Sequence, residues 1–156
     1  MSSAVELHAP PELDNYDLAR IAYAFAEARR SIDSTRATIA SIEGALSDLG
    51  PNQRRQEALA AGGFAVADRR LDQLRQGHQE RLGNQRETLV VLEQQLEGLR
   101  GAAAKVPLGP LDRVAAAVLN RDVDSLDLGD RAVHLKLPEG SKPASLTLFS
   151  GRTLEF

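Results

Sequence analysis

The chain of 156 residues has no cysteine and no tryptophan, and its aromatic residues are four Phe and two Tyr. Without cysteine there is no disulfide, no thiolate nucleophile and no Cys-ligated zinc site. So few aromatics, beside many alanines, leave little bulk for a wide globular core and suit a thin core spread along helices. Neither sign of charge dominates: 19 Lys and Arg stand against 22 Asp and Glu, a net charge of −3. A chain so balanced lacks the basic surface that neutralises phosphates, so nucleic acid is not an expected partner. A long apolar run is also missing. The most apolar window, 18–28, carries Arg20 and Glu27 and is far short of the roughly 20 residues that span a bilayer, so no membrane partner is expected. Met1 to Pro10 lacks the basic-then-apolar pattern of a signal peptide, and synthesis in the cytoplasm is expected.

What the chain does have is a repeat. Leu18, Ile21, Phe25, Ala28, Ile32, Thr35, Ile39, Ile42, Leu46 and Leu49 follow one another at alternating spacings of three and four. That is a coiled-coil seam, and it predicts a helix over about 15–49, stopped by Gly50-Pro51. A second series, Phe64, Ala67, Leu71, Leu74, Leu82, Leu89, Leu92, Leu96 and Leu99, predicts a helix over 64–100. His78 and Gln85 occupy its seam, with one four-residue slip near His78. Two helices of matched length predict an antiparallel coiled-coil hairpin over 13–100 with its tip at 50–63. That register sets Leu46 beside Ala67, Thr35 beside His78 and Ala28 beside Gln85. It predicts a polar layer of Thr35, His78 and Gln85 within the seam.

The ends read differently. Residues 1–12 form an arm, with Ala4 to His8 as a short strand ended by Pro10 and Pro11. Residues 101–110 form a linker around Pro107, Gly109 and Pro110. Within 111–156, a short helix with Val114, Val118 and Leu119 on one side precedes an acidic stretch and three strands. The strands are the Val133, Leu135, Leu137 alternation, Ser145 to Phe149, and Arg152 to Phe156 after a Ser150-Gly151 turn. The fold class is mainly α: a long helical hairpin, then a short helix and a small antiparallel β module.

No chemistry-bearing constellation emerges. Asp122-Val-Asp124 opens like a calcium loop, but Leu126 and Val133 stand where oxygen ligands belong. His8, His78 and His134 lie on separate elements, and Gly77, Gly83 and Gly98 form no phosphate loop. No catalytic, cofactor-binding or metal-ligating residue is predicted, nor a small-molecule substrate, and a non-enzymatic role is expected.

The outside of the first helix carries Ala22, Ala24, Ser31, Thr38 and Ala45 where a lone coil would carry Glu and Lys. A helix covered on more than one side predicts self-association, with a trimer of six helices as its concrete form. Ala22 and Ala24, with Leu135, Leu146, Leu148, Phe149 and Phe156 of the β module, make the expected interface. The expected function is a structural or assembly protein that joins other proteins in a large particle such as a phage virion or tail. The alternative is an adaptor whose basic tip, Arg54 and Arg55, enters an acidic partner, with client gripping between the helices as a third reading. A coiled-coil hairpin followed by a β module is similar in outline to the Gre-type transcript-cleavage factors. Their tip is acidic, whereas this tip offers Asp48 and then Arg54 and Arg55. Prefoldin-like chaperones share the long helices but place their strands between them.

Overall fold

A computed structural model describes residues 12–156; the expected strand at Ala4 to His8 lies outside them. Four helices, α1 (Tyr16–Ser47), α2 (Pro51–Ala61), α3 (Phe64–Ala104) and α4 (Pro110–Leu119), accompany four strands. The strands are β1 (Glu12–Asp14), β2 (Ala132–Lys136), β3 (Ser145–Leu148) and β4 (Thr153–Glu155). The described residues form two compact units, one of residues 28–96 and one joining 12–27 with 97–156.

In the first unit the long helices α1 and α3 pack side by side. Along α1, Ala28, Ile32, Thr35, Ile39 and Ile42 are buried and the residues between them are exposed. Ile39, Ile42 and Leu82 form one apolar cluster, flanked by Leu46 and Leu89. Two ion pairs give direction and register. Arg36 Nη2 lies 3.3 Å from Glu93 Oε1, and Arg86 Nη2 lies 3.8 Å from Glu43 Oε1. As α1 advances α3 retreats, so the pair is antiparallel.

The register differs from the expected one. The expected hairpin sets Arg36 beside Gly77; its observed partner, Glu93, lies about sixteen residues further along α3, roughly 24 Å at 1.5 Å per residue. The cause is α2. Residues 50–63 are not a tip loop, because Pro51–Ala61 is itself helical and pairs with the start of α3. Arg54 Nε donates to Asp68 Oδ1 at 2.7 Å, and Arg70 Nε approaches Glu57 Oε2 at 3.6 Å. Ala58, Ala67 and Leu71 are buried here.

The chain reverses at Gly62-Gly63. Gly62 has φ +83° and donates its N–H to Ala58 O at 3.0 Å, a left-handed helix end where a side chain would be strained. Between α1 and α2, Gly50 is extended, and a proline in the first turn of α2 accepts the loss of one amide donor. Because α2 lengthens the first arm, α3 runs on to Ala104.

In the second unit the sheet order is β1-β2-β3-β4, all antiparallel. The three C-terminal strands fall where the alternation places them. The fourth, β1, comes from just before α1, immediately after Pro11, where the sequence predicts only the end of the arm. Asn15 N donates to Val133 O at 3.1 Å, and Asn15 O then accepts from Ala19 N at 2.7 Å, so the end of β1 starts α1.

A bulge between Ala132 and His134 shifts the face of β2. Ala132 and Leu135 thereby join Leu146 and Leu148 against Leu111 and Ala115 of α4, with Val114, Leu126, Leu137 and Leu154 packed on the same cluster. On α4, Leu111, Asp112, Ala115 and Ala116 are fully buried, and Val114, Val118 and Leu119 are half-buried. Elsewhere in this unit Phe25 meets Phe149, ring centroids 5.1 Å apart, and Arg100 lies 5.7 Å from the Phe25 ring centre.

Candidate interaction surfaces

The most fully satisfied polar arrangement is a buried staple that no sequence motif announces. Arg131, just before β2, directs every N–H of its guanidinium to an oxygen. Nε and Nη2 donate to Asp112 Oδ1 and Oδ2 at 3.1 and 2.9 Å. Nη1 reaches Val106 O at 2.7 Å and Ala103 O at 3.4 Å, and Nη2 also reaches Pro107 O at 2.9 Å. Asp112 Oδ2 accepts a further bond from Gly109 N at 2.7 Å, which caps the start of α4. One guanidinium so ties the end of α3, the 105–109 connection, α4 and the sheet together. Its charge also meets carbonyls at a helix C-terminus, where a cation is favoured. This is scaffold: both side chains are buried and all donors are used.

The seam residues divide by position. Leu18, Phe25, Ile32, Ile39, Ile42, Leu71 and Leu82 are buried, and Ile21, Leu46, Leu89, Leu92 and Leu96 are half-buried. Leu74 and Phe64, expected on the seam, are exposed. The polar layer does not form. Thr35 adjoins Arg36, whose partner is Glu93, so His78 and Gln85 lie elsewhere along α3. His78 Nδ1 is buried without a hydrogen-bond partner among the described residues. At Gly77, Gly83 and Gly98 an added Cβ would meet nothing within 4 Å among the described residues, so close packing against these does not explain them.

The expected interface is also redistributed. Leu135, Leu146, Leu148 and Phe149 are consumed by the chain's own core, and Ala22 and Ala24 are half-buried. Phe156 stays outside, 51% exposed. At the hairpin end, Arg55 is exposed, but Arg54 is committed to Asp68 and also lies 4.7 Å from the Phe64 ring centre. The hydrogen bond from Arg54 holds the Asp68 carboxyl below the usual carboxylate range, and the nearby charge adds to it. Beside exposed Arg55, this end presents apolar side chains: Leu59 is 87% exposed, and Phe64 and Val66 stand exposed beside the Gly62-Gly63 turn.

On α1, Tyr16 and Tyr23 stand one heptad apart, 69% and 70% exposed, with the Arg20 guanidinium 5.8 Å from the Tyr16 ring centre. Tyr16 borders a cleft of about 440 Å³ lined by Asp14, Asp17, Val106, Pro107, Pro110 and Leu111. In the acidic stretch, Asp130 pairs with Arg121 at 2.5 Å and the backbone forms two 3-10 turns. Among the described residues no three His, Asp or Glu side chains gather as a metal site would need. Nor is any helix among them long and apolar enough to cross a membrane.

No protein-family model matches the chain, and neither a curated protein nor a solved structure matches it.

Proposed function

We propose that the protein is a non-enzymatic structural component that self-associates and joins other proteins in a larger particle, with a phage virion or tail as the concrete setting. The observation that carries this is the fate of its aromatics. Only Phe25 and Phe149 are buried; Tyr16, Tyr23, Phe64 and Phe156 all stand exposed. In a chain this poor in aromatic bulk, burial in its own core would be the first use of such side chains. Exposed Tyr and Phe are the residues that anchor protein–protein contacts when covered. The specific stoichiometry proposed is three hairpins packed as six helices.

The test is the double variant Tyr16→Ser/Tyr23→Ser, compared with wild type by sedimentation velocity. Self-association through the α1 face predicts a lower sedimentation coefficient with unchanged helicity by circular dichroism. An unchanged coefficient contradicts that face as the contact.

A second reading keeps the adaptor but changes its contact. Exposed Leu59, Phe64 and Val66 favour a partner with an apolar groove over one that reads Arg54 and Arg55. Pull-down with Leu59→Ser/Val66→Ser, against Arg55→Ala, separates the two.

A further inference from the structure

Among the described residues the sheet ends in two edge strands without a further partner, β1 and β4, and they are not equivalent. We infer that β4 is a self-complementary joint at which two copies of this chain pair antiparallel about a two-fold axis through Leu154, making one continuous sheet. The inference rests on the self-association proposed above and adds to the three-hairpin contact of the α1 face a second, two-fold contact at the sheet edge.

The backbone comes first. Leu148 N donates to Arg152 O at 2.8 Å, and Ala144 and Phe156 exchange both of their bonds at 3.1 and 2.9 Å. Antiparallel ladders alternate, so Arg152, Leu154 and Phe156 turn their N–H and C=O toward β3. Thr153 and Glu155 turn theirs to the open edge. A two-fold axis at Leu154 sets Thr153 opposite Glu155 of the second copy and Glu155 opposite its Thr153. Both members of each pair then have outward-facing groups, as a bonded pair requires.

The side chains select the same register. With the axis at Leu154, Leu154 meets Leu154, Thr153 meets Glu155, and Arg152 meets Phe156, a cation over a ring that is otherwise half exposed. A shift by one residue toward the end sets Glu155 against Glu155, and like charges directly opposite are unfavourable. A shift the other way sets Arg152 against Leu154. The β1 edge has no such solution. The Asn15–Val133 bond turns the backbone of Asp14 outward, and a two-fold pairing of β1 centred there sets Asp14 against Asp14. The occupant of the β4 edge is therefore a second copy, and the closed two-fold is the form its chemistry fits.

A chain without cysteine makes the test direct. Two-fold pairing puts Leu154 of both copies in a non-bonded antiparallel pair, about 4.5 Å between Cα atoms, within disulfide reach. Oxidised L154C should run as a reducible covalent dimer, well above the level given by S141C in the exposed loop before β3. Adding T153P removes an outward N–H without touching the β3 ladder, and should abolish that dimer while circular dichroism stays unchanged. Because Leu154 also packs on the α4 cluster, an equal mixture of R152C and F156C, both at exposed positions, gives the same reading without altering the core: a mixed disulfide is expected. Wild type larger than a monomer with none of these cross-links overturns the β4 joint and leaves self-association standing. A monomer with none of them overturns both.

Discussion

Arg131 grips Asp112 with two parallel bonds, 3.1 Å to Oδ1 and 2.9 Å to Oδ2, in a place where both side chains are buried. Removing one partner of such a pair strands the other charge away from water. Asp112→Ala is expected to destabilise the chain by about 3–5 kcal/mol. Arg131→Lys should recover little, because an ammonium cannot reach two carboxylate oxygens and three carbonyls at once. Urea unfolding followed by circular dichroism measures both; a loss below about 1 kcal/mol for Asp112→Ala would show the staple to be dispensable.

The antiparallel register makes a chemical prediction. Cysteines at Arg36 and Glu93 should be joined within one chain by a short bismaleimide, since the native side chains meet at 3.3 Å. Cysteines at Thr35 and His78 should not be. The reverse result would restore the hairpin with its tip at 50–63.

Position on the seam separates two leucine-sized residues. Ile42 is 2% exposed within the Ile39–Leu82 cluster, and Ile42→Ala should cost about 2–5 kcal/mol. Leu74 continues the sequence pattern but faces solvent, so Leu74→Ala should cost under about 1 kcal/mol. Chemical denaturation ranks them, and equal losses would contradict the packing.

His78 offers a gain rather than a loss. Its buried Nδ1 has no partner among the described residues, and an unsatisfied buried polar atom costs about 1–3 kcal/mol. His78→Leu is expected to raise the urea midpoint. A lower midpoint would mean that the ring is satisfied after all.

The pairing of α2 with α3 has a pH signature. Arg54 lowers the Asp68 carboxyl by hydrogen bond and charge, so the folded value lies below the unfolded one. The contribution of the pair is then full above the unfolded carboxylate value and is lost as pH falls through the lowered folded value. Asp68 also raises Arg54, which changes nothing in that window. Carbon-13 titration of the Asp68 carboxyl should show the low midpoint, and Arg54→Ala should return it to the ordinary range.

Much of this architecture is legible in the sequence because long periodic stripes state their own geometry. From Leu18 to Ile42 no tertiary event competes with the repeat, and the three C-terminal strands alternate clearly. Local stop signals are harder to weigh. Gly50-Pro51 and Gly62-Gly63 look alike as helix breaks, yet only the second reverses the chain; the helix-prone piece between them decides the register by pairing with α3. The three-residue β1 is too short for any alternation to show.

The Arg131–Asp112 staple joins residues far apart in sequence and so has no local pattern, although a carboxylate three positions after Gly109, behind a proline, is a readable sign of a capped helix start. The β-module leucines are legible as apolar but not as to whether core or partner buries them. That depends on the face of α4, which the bulge in β2 helps to choose.

Whether the chain self-associates is read from its mass in solution. Light scattering on a sizing column, over a hundredfold range of concentration, should give a defined multiple of the 16.8 kDa chain, growing more populated as concentration rises. A mass of 16.8 kDa at every concentration would contradict self-association and move the exposed Tyr and Phe to a foreign partner.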